Sequence, residues 1–298
     1  MKRSTYFLAA AFILLWNSGF IGAEYGLKYA KPFTMLFWRY MVLTVMLFLY
    51  LLVRRRFQWP GWSGAAHHMA IGALAHGVWL GCVHLALQYG VPAGIVALIV
   101  ALQPITTGAF SGMVTGEDPC IRRWVGLIIG FAGVAITVIA RIDFSDAGSV
   151  FGYLIPLGSV AAITAASLMQ RRMELKQYPK KIPLDLDLFY QSLATTVLML
   201  LPAIFMEKFY VEWEVEFIYI MLWVIFAVSL GAYTLMWILI ERMDTTRVAS
   251  LFYFGPPVTM LMAWVAFNDK LLFTDVAGLV VVMTGVWINY RSAAKSDK

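Results

Sequence analysis

Residues 96–107, VALIVALQPITT, return in outline at 248–259 as VASLFYFGPPVT. Both stretches begin Val-Ala, place a proline ninth and end on threonine, so Val96, Ala97, Pro104 and Thr107 pair with Val248, Ala249, Pro256 and Thr259 at one shift of 152 residues. The same shift pairs Phe37 with Phe189, Trp38 with Tyr190, Thr44 with Thr196, Glu117 with Asp269, Gly126 with Gly278 and Gly133 with Gly285. Chance apolar matches are common in an apolar chain. A proline, an acid in a connection and two glycines seven apart at one constant offset are not, and they read as an internal duplication, with one repeat in 1–145 and the other in 146–298.

The composition supplies the solvent. Of 298 residues 61% are hydrophobic and 13% charged, against about 25% charged in soluble domains. A bilayer core about 30 Å thick needs about 20 apolar residues per helix. Runs of that order lie near 5–27, 33–53, 67–88, 92–114, 123–141, 149–170, 188–206, 217–240, 247–268 and 272–290. The expected fold is therefore an all-α polytopic membrane protein of ten transmembrane helices. The net charge of +6 does not indicate nucleic acid, because the basic residues form short clusters between apolar runs.

Those clusters set orientation. Of the 23 Lys and Arg residues, Arg39 lies within a span; of the others, seventeen fall on the side of the N-terminus and five, Lys28, Lys31, Arg141, Lys208 and Lys270, on the other. The positive-inside rule then places both termini in the cytoplasm of a bacterial-type inner membrane. The acidic segment Glu207 to Glu216 falls outside, as an interfacial loop. Five spans per repeat is an odd number, so the second repeat is inverted relative to the first, an arrangement typical of secondary transporters.

In order along the chain stand Leu15-Trp16-Asn17-Ser18-Gly19-Phe20, then Pro32 with Phe37-Trp38-Arg39, then Ala97 and Pro104, Gly116-Glu117, and Gly126 with Gly133; Pro256, Asp269, Gly278 and Gly285 repeat the scheme. This series resembles the EamA-type branch of the drug/metabolite transporter superfamily over nearly the whole chain. The resemblance implies ten helices, internal termini and a central cavity opening alternately to either side, usually for export of metabolites such as amino acids. Two positions depart from it: Gln191 stands where the repeat would place a second arginine, and Asp269-Lys270 replaces a second glutamate motif.

Pro104 and the pair Pro256-Pro257, with Gly255 beside it, occur at corresponding depths in spans four and nine, where proline removes helix hydrogen bonds and leaves carbonyls for a cavity. Gln103, Tyr253, Tyr233 and Trp237 lie near them. Trp16 and Asn17 in span one and His76 and Trp79 in span three stand at similar depth, completing the candidate substrate-cavity residues; the rings suit apolar or aromatic side chains. Asn17 contacts substrate or makes an interhelical hydrogen bond, since a buried amide needs a partner. His76 accepts a coupling proton or hydrogen-bonds a carboxylate, or it is a neutral residue bonded to another helix. Arg39 is either a gate or bridge between helices or a snorkelling residue, a charge at midmembrane costing roughly 2.5–3.5 kcal/mol on insertion scales. Glu24 and Lys28 read as a superficial i,i+4 pair.

The expected partners are a small-molecule solute and the lipid bilayer. No metal site or cofactor is expected: His76 and His84 lie about 12 Å apart along a helix, and no HExxH or phosphate-binding GxxxxGK[ST] occurs. An intramembrane lipid-modifying enzyme lacks a nucleophile motif or paired membrane carboxylates, so the chain is read as a non-enzyme. Efflux of lipophilic cations and sugar-type transport stand as alternatives to amino-acid export; against the first, no midmembrane Asp or Glu is visible. The orientation is testable by cysteine accessibility in sealed vesicles. Glu212→Cys should react only from the side opposite Ser292→Cys, and labelling of both from one side would rule out the inverted arrangement.

Overall fold

The computed structural model describes residues 3–116, 121–177, 182–242, 248 and 251–296. Among them the ordered elements are helices, with one isolated β-bridge between Ala30 and Val211. The helices are α1 (Arg3–Gly26), α2 (Pro32–Val53), α3 (Gly61–Gln88), α4 (Ala93–Phe110), α5 (Ile121–Arg141), α6 (Ala147–Lys176), α7 (Leu184–Phe205), α8 (Val215–Ile240), α9 (Phe252–Phe267) and α10 (Phe273–Ser296). In hydrocarbon each backbone N–H and C=O needs a partner within the chain, and a continuous helix supplies one. The first eight are long and apolar enough to cross a bilayer. The two remaining expected spans correspond to shorter apolar helices, Phe252–Phe267 and the apolar part of α10, Phe273–Ile288. Glu117, matched with Asp269 by the shift, lies outside the described residues.

Local chemistry sets the boundaries. Pro32 opens α2, where its missing N–H costs nothing. Asp146 caps α6 by accepting from the N–H groups of Gly148 and Ser149 at 3.0 and 3.1 Å. Gly90, at φ +80°, turns the chain after α3 so that the Val91 N–H returns to the Ala86 carbonyl, 3.1 Å away. Helix α7 starts at Leu184, a turn before the expected 188, because Pro183 stands at its N-cap and Asp185 and Asp187 occupy its first turn, where carboxylates complement the helix dipole.

Two helices depart from α-geometry and two break. Ala73–Val78 in α3 and Trp223–Ala232 in α8 are π-helical; the shift of 152 carries the first segment into the second. In α4 the helix is interrupted at 101–102, ahead of Pro104. In α9 a 3₁₀ turn, Phe252–Phe254, precedes Gly255-Pro256-Pro257, and the shift superposes these interruptions too. Neighbouring hydroxyls satisfy carbonyls at the π segments: Thr195 donates to Gly72 O at 3.2 Å and Ser159 to Trp79 O at 2.8 Å.

Helices α5 and α10 approach through glycine. A Cβ at Gly133 would lie 2.7 Å from Gly278 O, and one at Gly285 would lie 2.6 Å from Gly126 O. Exchanging residues by 152 turns the first pair into the second. On α2 and α7, Thr44 Oγ1 meets Thr196 Oγ1 at 3.2 Å, a pair that maps onto itself. Arg141, ending α5, donates from Nε to Asp275 Oδ1 at 2.8 Å, pairs through Nη2 with the other oxygen, and reaches Lys270 O at 2.7 Å. Gly133→Ala should lower stability by about 1–3 kcal/mol, because the obstruction is backbone that cannot rotate away. Gly81→Ala, whose nearest neighbour is Phe33 at 3.8 Å, should be neutral or stabilising. Thermal unfolding in detergent checks the contrast.

Candidate functional site

The breaks in α4 and α9 both line a cavity of about 450 Å³ walled by α1, α3, α4, α6, α7, α8 and α9. Proline explains the position: Pro104 cannot donate to Val100 O, nor Pro256 and Pro257 to the carbonyls of Phe252 and Tyr253. Val100, Phe252 and Tyr253 all line the space. Of the residues singled out in the sequence, Trp16, Asn17, His76, Trp79, Gln103, Tyr233 and Tyr253 line it, as do Pro104, Gly255 and Pro256. Pro257 is not among the lining residues. The side chain of Trp237 lies outside the described residues.

Rings form one wall. Trp16 packs against Tyr233 at 5.3 Å and against Phe252 edge-on at 5.0 Å. Polar groups punctuate the rest. The His76 Nε2–H donates to Gln191 Oε1 at 3.0 Å, with the Tyr40 and Tyr233 rings near the imidazole; His76 is thus bonded to α7. Asn17 donates to Ile13 O at 2.7 Å and accepts from Thr259 Oγ1 at 3.0 Å, so its amide bridges α1 to α9 beside the break. Gly255 makes room there: a Cβ would stand 3.1 Å from Asn17 Oδ1, close enough that the amide would have to shift.

The sequence reading did not single out Asp187, which stands in the first turn of α7 and not at midmembrane. It lines the cavity and accepts from His68 Nδ1 at 2.8 Å. Its position became visible only when α7 was found to begin a turn early. Gln191, one turn further along α7, also faces the cavity, and the repeat had marked it only as the counterpart of Arg39.

Arg39 does not snorkel. It is 6% exposed and bridges helices, donating from Nε and Nη2 to Ser229 Oγ in the π segment of α8 at 3.1 and 2.9 Å. It lines a separate chamber of about 40 Å³ that shares Trp16, Phe20, His76, Trp79 and Tyr233 with the main cavity. A shallow groove of about 610 Å³ between α1, α8 and α9 is bounded by exposed apolar groups such as Tyr219, Leu261 and Val265. It offers few polar groups to specify a solute.

At the last turns of α6 and the first turn of α7 the lining includes the exposed Gln170 and Leu184 and the part-exposed Asp187, which form its mouth. The opposite end is sealed. Glu207 is buried and accepts from Phe33 N, Thr34 N and Thr34 Oγ1 at 3.1, 2.7 and 2.8 Å, so it caps the N-terminus of α2 rather than belonging to a solvated loop. The Glu212 N–H donates to Tyr29 O at 2.8 Å. Glu24 does not pair with Lys28: it accepts from Ala93 N at the start of α4, 3.3 Å away, while Lys28 Nζ lies 4.8 Å over the Tyr25 ring. Unbonded N–H groups and the positive dipole end of α4 draw the carboxylate inward. Asp269, in the connection before α10, has its carboxyl pushed above the usual range by burial, an effect opposed by Arg141.

Comparison with known proteins adds the family. The EamA-like transporter family matches residues 3–139 and again 150–291. A Bacillus subtilis protein named uncharacterized transporter YvbV is 26% identical, covering 99% of this chain and 94% of its own length. A Salmonella typhimurium protein named probable amino-acid metabolite efflux pump is 22% identical over 97% of this chain and 95% of its own; an Escherichia coli protein of the same name is 21% identical over 99% of each. A solved crystal structure superposes over the whole of both chains with a TM-score of 0.62 at 20% identity, a likeness of fold.

The Asn17 bridge has a measurable consequence. Asn17→Leu strands the Thr259 hydroxyl, a cost of about 1–3 kcal/mol. Adding Thr259→Val removes the stranded group and should recover much of the loss; thermal unfolding of the single and double variants measures the coupling.

Proposed function

The chain belongs to the EamA-like transporter family, and on that premise we propose that it is a secondary transporter exporting small metabolites, amino acids with large apolar or aromatic side chains first, by alternating access through the central cavity. The observation that carries the reading is a ring-lined cavity built where α4 and α9 lose their helical bonds. Broken helices in corresponding positions of two halves mark transporter sites. The cavity fits a small solute, with amides and a histidine for a polar headgroup and rings for a side chain. Two relatives are named as probable amino-acid metabolite efflux pumps.

In this proposal residues 1–145 and 146–298 are inverted five-helix repeats, with α9 and α10 as the ninth and tenth spans. Support comes from two successive family matches and from the superposed breaks and π segments. The reciprocal glycine contacts between α5 and α10 add to it, since a two-fold interface pairs i with j and j with i. The excess of basic residues supports placing the mouth and both termini on the cytoplasmic side, which makes the conformation inward-facing, with the α2 cap on Glu207 and the Arg141–Asp275 pair holding the outer side shut. Motion between the repeats would exchange open and sealed ends.

One observation favours a second reading. Asp187 places a carboxylate at the mouth, which would suit a lipophilic cation. Uptake and counterflow in vesicles separate the two. Large apolar and aromatic amino acids should exchange, and Tyr233→Ala or Tyr253→Ala should reorder their ranking more than it lowers maximal flux. Asp187→Asn should leave that ranking unchanged. If lipophilic cations exchange instead and Asp187→Asn abolishes their transport, the cation reading replaces the amino-acid one.

A further inference from the structure

Arg39 has donors but no counter-charge. Both of its assigned bonds go to one neutral oxygen, Ser229 Oγ, whose own proton goes to Val224 O at 2.9 Å. Among the described residues no carboxylate pairs with it. The guanidinium also lies 5.6 Å from the centre of the Tyr40 ring, but one without a carboxylate within a membrane is costly and marks a functional position with a partner to be named. Seven residues into α2, it stands about 10 Å along the axis from the sealed end.

The chamber beside it indicates that partner. Besides Arg39 it is lined by Trp79 and His84. Trp79 Nε1 and His84 Nε2 are buried without a protein hydrogen-bond partner, and His84 is 1% exposed. The His84 Nδ1 lies 2.8 Å from Leu80 O. A carbonyl only accepts, so in the neutral ring Nδ1 carries the proton and Nε2 is left as an acceptor. One fixed cation, one unused N–H donor and one unused acceptor thus belong to residues that line a space of about 40 Å³. That is room for a group the size of one or two waters, each occupying about 30 Å³ in the liquid. Five residues are shared with the main cavity, so the chamber adjoins it on the side toward the sealed end.

We propose that this chamber is the headgroup subsite of the transported solute, binding a carboxylate. The carboxylate oxygens accept from Arg39 and from Trp79 Nε1–H, Ser229 fixes the guanidinium, and His84 Nε2 accepts from a neighbouring ammonium. The side chain then extends back among Trp16, Phe252 and Tyr253. The substrate class is an acid, with an α-amino acid matching the full set of groups, and amines lacking a carboxylate are excluded. This rests on the transporter reading above and names the chemistry of its site.

Counterflow of radiolabelled L-phenylalanine in proteoliposomes tests it, using 3-phenylpropionate, which lacks the ammonium, and phenethylamine, which lacks the carboxylate, as competitors. The acid should compete at least about tenfold more strongly than the amine, the scale of one lost hydrogen bond to a charged group. Arg39→Gln should abolish that preference. Trp79→Phe keeps the ring but removes the N–H; it should narrow the preference, and it serves if Arg39→Gln does not fold. Equal competition by acid and amine in the wild type overturns the headgroup assignment while leaving amino-acid transport standing. So does a preference that survives in the folded variants. Absence of any phenylalanine exchange by the wild type removes the amino-acid reading and the subsite with it.

Discussion

The requirement that every backbone polar group within hydrocarbon find a partner shapes this protein more than any single contact. Continuous helices meet it automatically. Where Pro104, Pro256 and Pro257 remove donors, the freed carbonyls must face protein or a cavity, so α4 and α9 turn their breaks inward and the space between them becomes the site. The π segments obey the same rule: Thr195 and Ser159 reach across from α7 and α6 to carbonyls of α3. The two breaks and the π segment of α3 contribute lining residues to the cavity.

Charge is placed with equal economy. At the sealed end, carboxylates serve as helix caps or buried ion-pair partners: Glu207 on α2, Glu24 on α4 and Asp275 against Arg141. Each joins elements from different parts of the chain, so these contacts are closures as well as caps. At the mouth, Asp187 and His68 join α7 to α3 while leaving the passage open. Opening the sealed end would require separating the α2 N-terminus from Glu207, whose three bonds all come from α2. Charge-assisted bonds of this kind are strong individually, and under the proposed alternating access they are the bonds that opening would break.

Tight and loose packing alternate in the same way. Helices α5 and α10 meet through glycines with no side chain between their backbones, as interfaces in lipid favour where no hydrophobic force draws helices together. Around the cavity, by contrast, large rings lie edge to face. The α5–α10 contact is thus backbone against backbone, whereas the cavity wall is made of side chains.

Composition and a shift of 152 were enough, from the sequence, to identify a membrane-embedded helical chain, its internal repetition and the depth at which helices break. These follow from local rules: apolar length, proline chemistry and the spacing of glycines. Depth along a helix is a one-dimensional property, which is why most of the cavity residues were legible. Facing was not. Whether Asn17 meets a neighbour or a solute depends on Thr259, 242 residues away. Whether Arg39 snorkels or bridges depends on Ser229 in α8, and Glu207 is a helix cap only because the N-terminus of α2, distant in sequence, packs against it. Asp187 entered the cavity because α7 begins one turn earlier than its apolar run. Hydrogen-bond partners and cavity walls arise from rotations and approaches between helices, and those were decided only when the whole bundle packed.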